Sequence, residues 1–387
     1  MIKQNVFSLC ISGTGKSLII KYITALLHQE LGKDSYILCT PTGVSATLIN
    51  GKTLHSVFQV PKTMKEFRSL TGEKERQLQN SFKNVKFLIL DEYSMVGCKT
   101  LAMIDARCRQ ATGNANEDFG GLHVYFLGDI RQLPPVYDNA FFSHHQETTL
   151  GKKGKSLIKN FEKAYLLNTC HRQNNMNFLH LLDNISNGKS TQTDYNVLAT
   201  RFRNHLSPAE IRKFDNAIRL FATKNEVLQY NLKTLVELTD DLTGAPVPVV
   251  KLEAMHNCTD AKKGSVDDAE GLEKTLYISK GCKIMLRKNL WVDKKLVNGT
   301  IGRVIDVIYD SGKQFPSVIL CEFDNYEGPA IIPGSKIIPI KPVLSSWQDC
   351  KGSYCTRYQF PISLCYACSI HKSQGMTLDK VIIMNQI

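Results

Sequence analysis

The chain contains no uninterrupted apolar run of about 18 residues, which argues against a membrane-spanning helix. It opens Met1-Ile2-Lys3-Gln4-Asn5, too polar and with too short an apolar stretch for a secretory leader, and it does not read as a transit peptide. Internal repeats and low-complexity tracts are absent. Acidic residues are in deficit, 36 Asp and Glu against 48 Lys and Arg, for a net charge of +12. Such a surplus suits a polyanionic partner, because Lys and Arg that neutralise phosphates release counterions. A merely basic soluble surface accounts for it equally well. What is present is a globular composition, 43% apolar and 22% charged over 387 residues, enough for two or three domains. The twelve cysteines are dispersed and follow no disulfide framework, as in a reducing compartment. Cys350, Cys355, Cys365 and Cys368 contain a C-x-x-C pair, but the apolar run Ile362–Cys368 around it reads as buried core thiols rather than a zinc site.

Short apolar strands alternate with helical patterns, the signature of a parallel α/β sheet. Strands are expected at Val6–Leu9, Tyr36–Cys39, Phe87–Leu90, Val124–Leu127, Ala164–Leu167, Ile218–Ala222, Lys283–Leu286 and Lys380–Met384. Ser17–Leu31 reads as a buried helix, 58–86 as a polar excursion from the sheet, and 140–163 as a mixed loop carrying Lys152, Lys153, Lys155, Lys159 and Lys163. From Asn298 to about Lys351 the texture changes. Glycines and prolines punctuate Val304–Tyr309, Ser317–Phe323 and Lys336–Ile340, which look like strands of a small inserted barrel.

Four motifs carry chemistry. Ser12-Gly13-Thr14-Gly15-Lys16-Ser17 lies directly between a strand and a helix, where glycines bring backbone N–H groups to phosphates. Lys16 would reach the β- and γ-phosphates, with Gly13, Thr14 and Gly15 forming the cradle and Ser17 ligating Mg²⁺. In G-x-x-x-x-G-K-[ST] the first Gly falls at Cys10, and a side chain there is costly only if the backbone needs a positive φ. Phe87–Glu92 is an apolar strand ending in two carboxylates, at the edge where open α/β sheets bind ligands. Asp91 would hold Mg²⁺ and Glu92 would activate water. Val124–Val136 ends a further strand in Gly128-Asp129-Ile130-Arg131-Gln132 before two prolines, with Gln132 placed to sense the γ-phosphate. Asn168–Gln173 offers Arg172 as a cation for transition-state charge.

In this order the motifs resemble those of the Pif family of superfamily-1 helicases, including helicases carried by Helitron transposons. Thr53–Phe58, Leu296–Gly302 and Ser369–Asp379 extend the similarity over nearly the whole chain. The resemblance implies two RecA-like P-loop domains with parallel sheets, a first over 1–175 holding a small wedge insertion at 58–84. The second would span 176–297 and 358–387, with an SH3-like β-barrel inserted at 298–357. It implies an ATP- and Mg²⁺-dependent 5′→3′ DNA helicase working on single-stranded and forked DNA, able to act as a monomer. Repair, recombination and telomere maintenance, and a nuclear or mitochondrial address, come with it. Thr40, Thr42, Gly43, Thr53 and His55, with His371, Lys372 and Ser373, would contact DNA, while Arg172 and Gly375 would approach the γ-phosphate.

The family's adenine-recognising glutamine before the phosphate loop has no counterpart here, and its final arginine motif would follow Ile387. On sequence the chain therefore reads as a fragment, a truncated gene model or a decayed transposon copy. Two readings stand: an ATP-dependent helicase, or a nucleic-acid-binding remnant with impaired hydrolysis. A RecD-like exonuclease subunit shares the motor, but the chain lacks a further cluster of acids for a nuclease.

Overall fold

The computed structural model describes residues 5–10, 13–42, 45–46, 49–60, 67–144, 148–171, 173–240, 242–348, 353–374, 376 and 378–384. Contacts divide the chain into two units, Met1–His205 and Leu206–Ile387.

The first unit is built on a parallel sheet of β1 (Val6–Cys10), β2 (Tyr36–Thr40), β3 (Lys52–Thr53), β4 (Phe87–Leu90), β5 (His123–Gly128) and β6 (Lys163–Leu167). Its order is β3-β2-β4-β5-β1-β6, so the first strand lies inside the sheet between β5 and β6. β4 shows why this sequence makes a central strand. All four of its residues are buried, and successive side chains serve opposite faces. Leu88 and Leu90 join Val124 and Phe126 in the larger core, while Ile89 joins Leu127 beneath α1 (Lys16–Leu31) on the other side. The remaining helices of this unit are α2 (Leu54–Phe58), α3 (Glu73–Phe82), α4 (Cys98–Thr112), α5 (Thr149–Lys159), α6 (Met176–Ser186) and α7 (Gln192–Ala199).

Two expectations are corrected in this unit. α1 is not a buried helix: Ile20 is buried, with Ile19, Ile23 and Leu27 packed beside it, but Leu18, Tyr22 and Leu26 are more than half exposed. A sheet face accepts one stripe of a helix, and these three residues at i, i+4 and i+8 form the opposite stripe. The polar stretch 58–86 does leave the sheet, contributing a helix and no strand among the described residues, and Phe58, Val60, Leu78 and Phe82 anchor it in the main cluster. The loop expected at 140–163 contains α5, which crosses α4 closely. A Cβ at Gly154 would stand 1.8 Å from the Cys98 carbonyl oxygen, so only glycine allows that approach.

Contacts group α6 and α7 with the first sheet, in the unit that runs to His205. A hydrogen-bonded tether described below attaches α6 there.

In the second unit Ala367–Ser369, Ile218–Phe221 and Val381–Ile383 form a parallel three-stranded sheet. A five-stranded antiparallel sheet joins Ile337–Ile340, Val318–Phe323, Ile301–Ile308, Lys283–Leu286 and Ile362–Leu364 in that order. Lys283–Leu286, grouped on sequence with the parallel strands, is thus antiparallel to both neighbours. Its apolar run reports burial, which is common to both kinds of strand. The β-rich stretch shares this sheet with strands that lie outside 298–357, and one core containing Ile284, Val304, Phe323, Ile340 and Phe360 binds them. Cys365 and Cys368 sit in an apolar cluster with Ile218, Leu220 and Met285, as core thiols. Cys355 instead approaches Cys258, with the two sulfurs 3.9 Å apart, and Cys350 lies outside the described residues.

Candidate active site

The C-terminal ends of β1 and β4 meet at the loop that opens α1. β1 stays extended through Cys10, which pairs with Leu167 of β6. The missing first glycine therefore imposes no left-handed strain at that position. Ser12 lies outside the described residues. Gly13 and Gly15 carry the left-handed turns, at φ 83° and 87°, a region that glycine enters without penalty. The Gly15 carbonyl accepts from the Leu18 and Ile19 N–H groups, which starts α1, and no side chain caps that end. The N-terminal turn therefore keeps its donors and its positive dipole end for an anion. Thr14 is buried, Lys16 is mostly buried and Ser17 is exposed on the first turn.

Lys16 Nζ stands 3.8 Å from Glu92 Oε1, and both side chains are close to nine-tenths buried. Asp91 is also buried; its N–H donates to the Cys39 carbonyl at 3.0 Å, and its Oδ1 accepts from the Glu92 N–H at 2.9 Å. Burial first, then the Glu92 charge, pushes the Asp91 carboxyl up from 3.8 to about 6, against the pull of Lys16 and of that hydrogen bond. Glu92 takes φ 55°, a conformation costing a non-glycine residue about 1–2 kcal/mol. Its Oε2 is buried without a hydrogen-bond partner among the described residues. Strain and an unsatisfied acceptor at one residue mark a site shaped for something other than stability.

The loop after β5 completes this edge. Gln132 N–H donates to the Asp129 carbonyl at 3.0 Å. Arg131 N–H donates to Asp129 Oδ1 at 3.0 Å, and its guanidinium reaches α6. The segment carrying the fourth motif also touches the phosphate loop, since the His171 N–H donates to the Gly13 carbonyl at 2.8 Å. Arg172 itself lies outside the described residues. Sequence reasoning gave no role to Asp129, Arg131 or His171. All three stand inside quoted motifs, but nothing in the spacing joins His171 to Gly13.

The expected DNA contacts are held more tightly than a free surface requires. Thr40 is fully buried at the end of β2, and its hydroxyl has no partner among the described residues. Thr42 Oγ1 donates to Ser45 Oγ at 2.8 Å, and Gly43 lies outside the described residues. Thr53 caps α2 by accepting from the Ser56 N–H, and His55 Nδ1 lies 2.8 Å from the Val60 carbonyl oxygen. In the second unit His371 is exposed on a short helix, Ile370–Ser373, and Ser373 Oγ donates to the Ile370 carbonyl. Lys372 is only partly exposed. Burial, then repulsion from Arg287, pushes its ammonium down to about 8 despite the opposing pull of Cys365, Cys368 and Glu273. Gly375 lies outside the described residues.

A glycine-turned loop between β1 and α1, facing paired carboxylates at the end of another strand of the same parallel sheet, defines a P-loop nucleotide-binding protein of RecA-like fold. Residues 2–196 match the model of the PIF1-like helicase family, and the chain belongs to that family. It is 31% identical to the ATP-dependent DNA helicase PIF1 of Xenopus laevis, aligning over 98% of its own length and 54% of that protein. With Pif1 of Bdellovibrio bacteriovorus it shares 27% identity, over 97% and 77% of the two chains. The chain thus spans about half the length of the vertebrate relative. Among solved structures, Pif1 of Candida albicans superposes with a TM-score of 0.74 at 25% identity, covering 98% of this chain and 84% of that one. A Bacteroides Pif1 in complex with ADP-AlF3 and single-stranded DNA gives 0.67 at 25% identity, over 98% and 82%.

Proposed function

We propose that this chain is the motor of an ATP-dependent DNA helicase, coupling hydrolysis to 5′→3′ movement along single-stranded DNA and opening of forked duplex. The observation that carries the reading is the convergence of Lys16, Asp91 and Glu92, with the buried Glu92 Oε2, unpartnered among the described residues, at its centre. The donor set suits a nucleotide with Mg²⁺: backbone N–H groups and an ammonium for phosphate, hard hydroxyl and carboxylate oxygens for the metal. When bound, the metal supplies charge neutralisation on the phosphates. Ser17 and Asp91 hold it, and Gly13–Lys16 orient the phosphate chain. Glu92 positions water through Oε2, and the Lys16 ammonium that now faces Glu92 turns to phosphate. Gln132 senses the γ-phosphate, and Arg172 and Gly375 approach it. Thr40, Thr42, Gly43, Thr53, His55, His371, Lys372 and Ser373 serve the strand by backbone contact and stacking. For the buried Thr40 this role means shaping the loop that bears Thr42. The proposed domain plan is two RecA-like halves with a wedge near 58–84 and the β-rich module after residue 298. By family, the unwinding serves repair, recombination and telomere maintenance, and a single chain suffices for it.

The test is steady-state ATP hydrolysis with and without single-stranded DNA, beside Lys16→Ala. Turnover stimulated by DNA and lost in Lys16→Ala is expected. Turnover equal in the two proteins would overturn the reading.

A further inference from the structure

The loop that carries Gln132 is tied to a helix that begins just past Arg172. Arg131 Nη1 donates to Asp183 Oδ1 at 2.8 Å and to Ser186 Oγ at 3.0 Å, both on the last turn and a half of α6. Its Nε lies 3.5 Å from Asp129 Oδ1, the oxygen that also accepts the Arg131 backbone N–H at 3.0 Å. One guanidinium therefore spans from the buried carboxylate under the Gln132 loop to the side of α6. Ser186 is itself held in place, since its hydroxyl donates to the Asp183 carbonyl at 2.9 Å. Apart from Asn184, whose Nδ2 donates to Asp194 Oδ2 of α7 at 2.9 Å, α6 has little else to fix it: Leu181 alone is buried along its length, and Met176, Phe178, Leu182 and Ile185 are exposed. On a helix so lightly packed, a fork with two acceptors determines where the helix sits relative to the loop.

From this geometry we infer that Arg131 is a positioning residue, which couples the Gln132 loop to α6 and so to the segment carrying Arg172. The inference rests on the ATPase reading of the site. A tether with one foot on Asp129 and the other on α6 transmits any displacement of the helix to the residue next to Gln132. The bland account is a surface ion pair of no consequence, because Asp183 is about half exposed and such pairs contribute little to stability. The two accounts differ in kinetics, since an idle pair leaves turnover unchanged.

The experiment compares wild type, Arg131→Ala, Arg131→Lys, Asp183→Ala and the double Arg131→Ala/Asp183→Ala variant in steady-state ATP hydrolysis with single-stranded DNA, beside Lys16→Ala. Arg131→Ala is expected to lower DNA-stimulated kcat by roughly two- to five-fold, the range one partly exposed ion pair can supply, with a smaller change in the KM for ATP. Asp183→Ala should match it, and the double variant should be no worse than either, as for two residues acting through one contact. Arg131→Lys, which keeps the charge, should recover part of the loss. If Arg131→Ala does not fold, Asp183→Ala and Arg131→Lys carry the same comparison. Additive losses, a change confined to KM, or unchanged kinetics in the variants while Lys16→Ala abolishes turnover would each overturn the positioning role. Turnover that survives Lys16→Ala is a different failure: it removes the ATPase reading, and the role resting on it goes too.

Discussion

Asp91→Asn is expected to make the first unit more stable at neutral pH while removing its catalytic competence. In the folded chain the Asp91 carboxyl is raised from 3.8 to about 6, chiefly by burial and then by Glu92. A carboxyl whose folded pKa exceeds its unfolded value destabilises the fold once it ionises. The penalty is absent below about pH 3.8, grows from there, and is complete above about pH 6. A shift of about two units corresponds to about 3 kcal/mol at pH 7, and to about half of that at pH 5. Asparagine keeps the Oδ1 that accepts the Glu92 N–H but carries no charge, so it escapes the penalty while losing the attraction of Lys16. After allowing for that loss, a gain of about 1–3 kcal/mol, or roughly 2–10 °C in melting temperature, is expected at pH 7. The assay is thermal unfolding of both proteins at pH 5 and pH 7, without nucleotide or divalent cation, alongside ATP turnover. The reasoning fails if Asp91→Asn melts below wild type at pH 7, or if the difference between the two is the same at both pH values.

Gly154→Ala should destabilise the first unit by about 1–3 kcal/mol, because its new Cβ would meet the Cys98 carbonyl of α4; denaturant unfolding reads this directly. Arg357→Ala should be costlier, about 3–5 kcal/mol, and a chain that stays soluble and melts within a degree of wild type would contradict it. The Arg357 side chain is fully buried in the second unit and donates to the carbonyls of Ala261, Gly264, Ser265 and Leu272, each of which would lose this donor. Cys258 and Cys355 should form a disulfide under mild peroxide, each sulfur losing its proton as peroxide is reduced to water. The 3.9 Å separation lies across the extension of an antiparallel pairing, His256 with Arg357. Peptide mapping should find the pair linked in wild type and the link absent in Cys258→Ser.

Much of the site could be read from residues alone, because its chemistry is written in contiguous stretches. Gly13–Ser17 and Asp91-Glu92 each follow an apolar strand, and a strand-to-loop transition in an α/β sheet delivers polar residues to the ligand edge whatever the rest of the chain does. The eight expected strands were all found, within about two residues at either end, because burial of alternate or successive apolar residues is a local signal. Partners are not local. α1 has apolar residues all round, so composition suggested burial, and only the sheet beneath it chose which stripe was covered. Lys283–Leu286 has an apolar run suited to either strand direction, and its pairing with Ile301–Ile308 and Ile362–Leu364 made it antiparallel.

The sequence by itself therefore determined the class of the protein, the strands and the polar residues that follow them, since each depends on neighbours within a few positions. Tertiary structure alone decided what those residues experience. It raised Asp91 by enclosing it beside Glu92, left Glu92 Oε2 without a partner among the described residues, placed Cys10 in an extended strand, and set Arg131 against α6. Desolvation, charge proximity and hydrogen bonding act through space at a few ångströms, and residues 52 positions apart, such as Arg131 and Asp183, reach that distance only when the chain has folded.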